Sequence, residues 1–120
     1  MMTPLQFALA LRMTESDDDP RAFGDAGLAI TSYQVHPCWL WDQIKRFELR
    51  PGLSESWDEW IQVYVLAFYA AAAGDGAPVN EAMHFHLGHP AKVTDPDWDI
   101  EYSARFLLSS ASVTGNNYAG

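Results

Sequence analysis

Apolar positions Leu5, Ala8, Leu9 and Met13 recur at three- and four-residue spacing behind Thr3-Pro4, which predicts a first helix over residues 4–16. Thr3 suits the N-cap, and Pro4 suits the first helical position, where its missing N–H would have no helical partner. A denser series, Trp60, Ile61, Tyr64, Val65, Phe68 and Ala71-Ala72, leaves few polar positions and marks 57–73 as a buried central helix. Ser56 and Glu59 have the capping-box spacing at its start, and Gly74 closes it. Three shorter patterns complete the helical set. One opens at Pro37, carries Trp39, Leu40 and Ile44, and ends before Pro51-Gly52; one covers 78–87 with Gly88 as its stop; the last takes Asp95-Pro96 as cap and first turn and carries Trp98, Tyr102, Phe106 and Leu107.

Residues 17–35 break this rhythm. Asp, Pro and Gly punctuate them, with short β-prone pieces at 28–30 and 33–35, so the segment reads as a loop with at most a small hairpin. The Ser-, Asn- and Gly-rich stretch 113–120 reads as a frayed tail. No repeat or heptad seam is present. The pattern predicts one all-α domain over 1–120, mainly helical, with a very small β-hairpin after the first helix.

Composition narrows the functional classes. A chain of 120 residues with 48% hydrophobic and 13% aromatic residues can fill one core and is not of disordered type. Seven Lys and Arg against 16 Asp and Glu give a net charge of −9 with no basic run, which disfavours nucleic acid and anionic membrane surfaces as partners. The longest apolar run, 63–73, is about half the roughly 20 residues of a membrane span, so no membrane insertion is expected. The first 20 residues lack a charged region ahead of the apolar patch and a small-residue cleavage site, so no signal peptide is expected either. Cys38 is the single cysteine and reads as a small apolar filler between Pro37 and Trp39. His84 and His86 are two apart and point to different helix faces. Together with His36, His89 and Cys38 they read as structural or surface residues, and neither a metal nor another cofactor is expected.

Chemistry concentrates in the opening third. Glu15-Ser16, Asp19-Pro20 with Ala22, Gly24-Asp25-Ala26-Gly27, Ala29 and Tyr33-Gln34-Val35 follow one another at fixed spacing. This series resembles the lysozyme-like superfamily of peptidoglycan hydrolases. Its phage-associated and transglycosylase-type members carry Glu-Ser, Asn-Pro-x-Ala, Gly-Asp-x-Gly and Gln-Ile without a gap. Residues 85–90, Phe-His-Leu-Gly-His-Pro, lie where that family has an Ile-His-Asn-Gly-Gly-Pro turn, and Tyr102 lies where it has a helix-borne tyrosine facing the site. Three positions depart from the pattern: Thr31 and His89 replace glycines, and Leu87 replaces the asparagine.

The resemblance implies a lysozyme-like fold and cleavage of the peptidoglycan glycan strand between N-acetylmuramic acid and N-acetylglucosamine, by a muramidase or a lytic transglycosylase. Glu15 would be the general acid. A carboxylic acid can protonate a leaving oxygen at neutral pH when burial raises its pKa, and a Glu ending an apolar helix beside an aromatic-walled cleft would have that setting. The helix C-terminus disfavours a carboxylate there, which itself invites a functional account.

A second carboxylate would lie at about 5–5.5 Å for retention or 6.5–9.5 Å for inversion. Asp25 is the candidate, with capping of its own turn as an equal explanation of that residue. A lytic transglycosylase needs no second carboxylate, because a hydroxyl of the substrate traps the oxocarbenium-like centre. Ser16, Tyr33, Gln34, His86 and Tyr102 would contact substrate. The alternative reading is a catalytically inactive lysozyme-like module that grips glycan or protein, for example as a virion component. Either form would be made in the host cytoplasm, then carried in the virion or released to the cell wall by another protein, with virion or lysis proteins as partners. Delivery of that kind would also overcome long-range repulsion between a −9 chain and anionic wall polymers.

Overall fold

The computed structural model describes residues 2–49, 56–72 and 77–115. Among them are five helices, α1 (Pro4–Ser16), α2 (Pro37–Phe47), α3 (Trp57–Ala71), α4 (Pro78–Leu87) and α5 (Ile100–Thr114), and one hairpin of β1 (Phe23–Gly24) and β2 (Ala29–Ile30). The chain is mainly helical. None of the described helices is long and apolar enough to cross a membrane.

The helix starts follow their local chemistry. Thr3 and Gln6 form a capping box on α1, Thr3 Oγ1 accepting from the Gln6 N–H at 3.1 Å and Gln6 Oε1 from the Thr3 N–H at 2.9 Å. Ser56 and Glu59 form a second on α3. The last helix begins later than its sequence suggests. Asp95 caps a turn instead, its Oδ2 accepting the Lys92 N–H at 2.8 Å, and Asp99 is the N-cap of α5, its Oδ1 accepting the Tyr102 N–H at 3.0 Å. The helical ladder then runs through Thr114, so 113–115 are ordered into α5 and its cap rather than frayed; the expected stop at Gly74 lies outside the described residues.

The hairpin also differs from expectation. Ala29-Ile30 pairs with Phe23-Gly24, while Val35 makes a single bridge back to Ile30. The Asp25–Gly27 turn reverses the chain with Ala26 at φ 58° and Gly27 at φ 91°, a left-handed pair that makes the upstream pairing possible.

Helix α1 packs against α5 and α3, α2 against α3, and α4 against α5. The core between them is aromatic: Phe7 stacks on Tyr69 at 4.2 Å and tilts against Phe106 at 5.7 Å, and Trp39 meets Phe85 edge-on at 5.1 Å. Phe7, Leu11, Ile61, Tyr64, Val65, Met83 and Phe106 are fully buried. At roughly 2 kcal/mol for each large apolar side chain removed from water, this set is the main source of stability.

One polar network interrupts the core. Asp58, in the first turn of α3 where the helix dipole favours a carboxylate, accepts both the Ser32 N–H at 2.9 Å and the Ser32 hydroxyl at 2.6 Å. Arg12 lies 3.4 Å from its other oxygen, donates to Asp18 at 2.6 Å and reaches Gln62 at 3.1 Å. Ser16 Oγ, at the end of α1, donates to the Ser32 carbonyl at 2.7 Å. The turn 31–34 is thereby fastened to α1 and α3 at once. Replacing Asp58 by Ala should leave buried donors unmet and lower stability by about 3 kcal/mol, read as a lower midpoint in urea unfolding.

Candidate functional site

Glu15 occupies the last turn of α1, and Tyr102 the first turn of α5, 87 residues away. Because α1 and α5 pack together, the Tyr102 hydroxyl donates to Glu15 Oε2. The Tyr102 ring is buried, and burial pushes its phenol well above the ordinary value, with the Glu15 charge and hydrogen bond adding to the effect. The phenol therefore keeps its proton and acts as a standing donor to Glu15.

Glu15 opens onto a cleft of about 440 Å³ whose walls include Gln34, Trp39, Phe85, His86 and Leu87. Cys38, the second residue of α2, also lines it and is exposed, so this residue is not the apolar filler its neighbours suggested. His86 stacks face to face on Tyr102, with ring centroids 3.8 Å apart and planes 9° apart, and its Nε2 meets Asp99 Oδ2 at 3.1 Å. Asp99 is in turn held below the usual carboxylate range, first by the Tyr102 N–H and then, against some desolvation, by His86.

Gln34 reaches the cleft from a turn in which it and Thr31 both have left-handed backbones, at φ 49° and 68°. Its Nε2 donates to the Thr31 carbonyl at 2.9 Å, and its Oε1 lies so close over Gly24 that a Cβ there would collide with it. A side chain at Gly24 would displace the Gln34 amide, so this close approach links the Gly-Asp-Ala-Gly turn physically to Gln34.

The structure brings Glu15, Gln34, His86 and Tyr102 together from four separate segments. Three of the expected substrate contacts do not line the cleft: Tyr102 is buried and meets it through Glu15, and Tyr33 and Ser16 lie elsewhere. Tyr33 is fully buried, donates to Gln62 at 2.7 Å and has the Arg12 guanidinium 5.6 Å over its ring; burial pushes its phenol upward, and it serves the core rather than the cleft. Ser16 is engaged in fastening the turn, donating to Ser32 and accepting the Asp19 N–H at 3.0 Å. The backbone of Asp25 lies in the hairpin turn, and its side chain is outside the described residues.

His84 and His86 do face apart, His84 lying edge-on to Phe68 at 4.9 Å and 3.7 Å from Glu81. Among the described residues no group of three or more His, Cys, Asp or Glu could hold a metal ion. Trp39 and Phe85 as cleft walls, and Asp99 as the partner of His86, were not singled out from the sequence. Asp99 had a readable signal, an N-cap residue three positions before Tyr102.

Among the described residues lining the cleft, Glu15 is the only carboxylate. A carboxyl group beside a fixed phenol, facing a partly apolar cleft with an amide at its edge, can give or take one proton from a bound polar ligand. No family model, no curated protein and no solved structure matches this chain.

Substituting Glu15 by Gln should let Tyr102 ionise at a lower pH than in the wild type while burial keeps it above the ordinary tyrosine value; titration of a ¹³Cζ-tyrosine-labelled sample by NMR reads this directly.

Proposed function

We propose that this chain is a peptidoglycan-cleaving glycosidase with Glu15 as general acid. The observation that carries the reading is the Glu15–Tyr102 pair at the edge of a cleft walled by Trp39 and Phe85 and reached by Gln34 and His86. Cleavage of a glycosidic bond needs one proton on the leaving oxygen at the moment the bond breaks, and Glu15, its orientation fixed by the Tyr102 hydroxyl, is the carboxyl group placed at the cleft to give it. The backbone adds support. Thr31, which stands where lysozyme-like proteins have glycine, adopts φ 68°, a conformation that costs a β-branched residue strain and glycine none.

Glu15 can serve either a hydrolase or a lytic transglycosylase, and the second route needs no further carboxylate. Along that second route Glu15 protonates the leaving oxygen as the C–O bond breaks. The resulting carboxylate then accepts the proton of a substrate hydroxyl as that oxygen bonds to the oxocarbenium-like carbon, giving an anhydro end. Gln34 would hydrogen-bond hydroxyl or acetamido groups, and Trp39 would cover an apolar sugar face. The partner is the glycan strand of the wall, reached with the help of other virion or lysis proteins that offset the −9 charge. Leu87 favours a second reading, a binding module without catalysis, because it lines the cleft where an amide would contact substrate.

Mass spectrometry of material released from purified peptidoglycan separates these. Anhydro ends support the transglycosylase route, reducing ends a hydrolase in which Asp25 becomes the next residue to change, and release of nothing across several wall types leaves the binding module. Glu15→Gln should cut the rate by at least about 100-fold with an unchanged thermal midpoint. Gly24→Ala should push the Gln34 amide aside and raise KM several-fold while kcat changes little, as steady-state kinetics on a soluble glycan fragment would register.

A further inference from the structure

The reading of Glu15 as the acid leaves open what keeps Tyr102 aimed at it. We propose that His86, steadied by Asp99, is a positioning residue that holds the Tyr102 hydroxyl on Glu15. This inference rests on the proposed function for its kinetic consequence but not for its geometry.

Asp99 serves two tasks with two oxygens. Oδ1 accepts the Tyr102 N–H at 3.0 Å and so fixes the residue's backbone; Oδ2 meets His86 Nε2 at 3.1 Å and fixes the ring that covers Tyr102. At 3.8 Å and 9° the two rings lie in face-to-face contact, so Tyr102 cannot tilt toward His86 without a clash. The Arg105 guanidinium, 5.7 Å from the ring centroid, is a further neighbour on α5 itself. Tyr102 is buried as part of the core cluster, and His86, from the last turn of α4, covers one face of its ring.

Stability does not account for this arrangement. The His86 and Asp99 side chains are 30% and 40% exposed, and ion pairs at that exposure add little to folding. A stack required only for packing would also be met by an apolar side chain, whereas this ring is held from outside by a carboxylate with a second role at Tyr102. Holding a catalytic group within a fraction of an ångström of its working position affects rate more than affinity.

The test uses His86→Ala, His86→Phe and Asp99→Asn, the last of which keeps the N-cap because Asn caps as well as Asp. With a soluble glycan substrate, His86→Ala should lower kcat about tenfold with KM nearly unchanged, while His86→Phe, which restores the stack but not the tie to Asp99, and Asp99→Asn, which weakens that tie, should each show a smaller but clear loss in kcat. In a Tyr102→Phe background, His86→Ala should cost nothing further. A rise in KM alone, or an equal loss in the Tyr102→Phe background, would mean that His86 acts on substrate directly and would overturn the proposal.

A second arm needs no activity. In ¹³Cζ-tyrosine-labelled protein, the downward shift of Tyr102 ionisation produced by Glu15→Gln should shrink when His86 is already Ala, because the hydrogen-bond part is lost while the effect of the Glu15 charge remains. Persistence of the full shift would overturn the proposal. If wild-type protein releases no glycan fragments, the glycosidase reading fails while this arm still decides whether His86 positions Tyr102.

Discussion

Asp58 is a carboxylate taken largely out of water at the start of a helix, and the shape of the whole cleft floor follows from how it is satisfied. Its partners are the amide and hydroxyl of Ser32, with Arg12 beside the second oxygen. A buried charge is tolerable only when hydrogen bonds replace its lost hydration, and the turn 31–34 supplies them. The turn is therefore held in a conformation it would not choose unaided. Thr31 and Gln34 both have positive φ, and strain of that kind persists only where surrounding contacts over-determine the backbone. The result is that Gln34 is delivered to the cleft while Tyr33, its neighbour, is driven into the core.

Helix positions were legible because their signals are local. Thr3-Pro4, the Ser56/Glu59 pair and Gly88 each act within one turn of chain, and the structure uses all of them. The start of the last helix was not, since Asp95-Pro96 and Asp99 offer equivalent caps. What separates them is tertiary: only Asp99 also reaches His86. The hairpin partner was missed for a related reason. Phe23-Gly24 has no β pattern of its own and becomes a strand because the left-handed Asp25–Gly27 turn folds it back on Ala29-Ile30.

The candidate site shows the same division. Glu15, Gln34 and His86 were singled out by motif order and line one cleft, with Tyr102 buried against Glu15, whereas the fates of Tyr33 and Ser16 depended on which direction a strained turn points. Alternation along an extended segment puts neighbouring side chains on opposite sides, but a turn with two left-handed residues follows no such period. Cys38 illustrates the limit from the other side. Residue type suggested burial, and its place at the start of α2 beside the cleft leaves it exposed.

The pairing of Glu15 with Tyr102 spans 87 residues and joins the first helix to the last. A contact of such long loop length forms only once the intervening helices have condensed, since closing the loop costs entropy that local structure cannot offset. During synthesis, then, the ribosome exposes Glu15 long before Tyr102. A growing chain adds 87 residues after the carboxylate before its partner exists, so the pair forms late and all at once, as a property of the finished fold rather than of any segment within it.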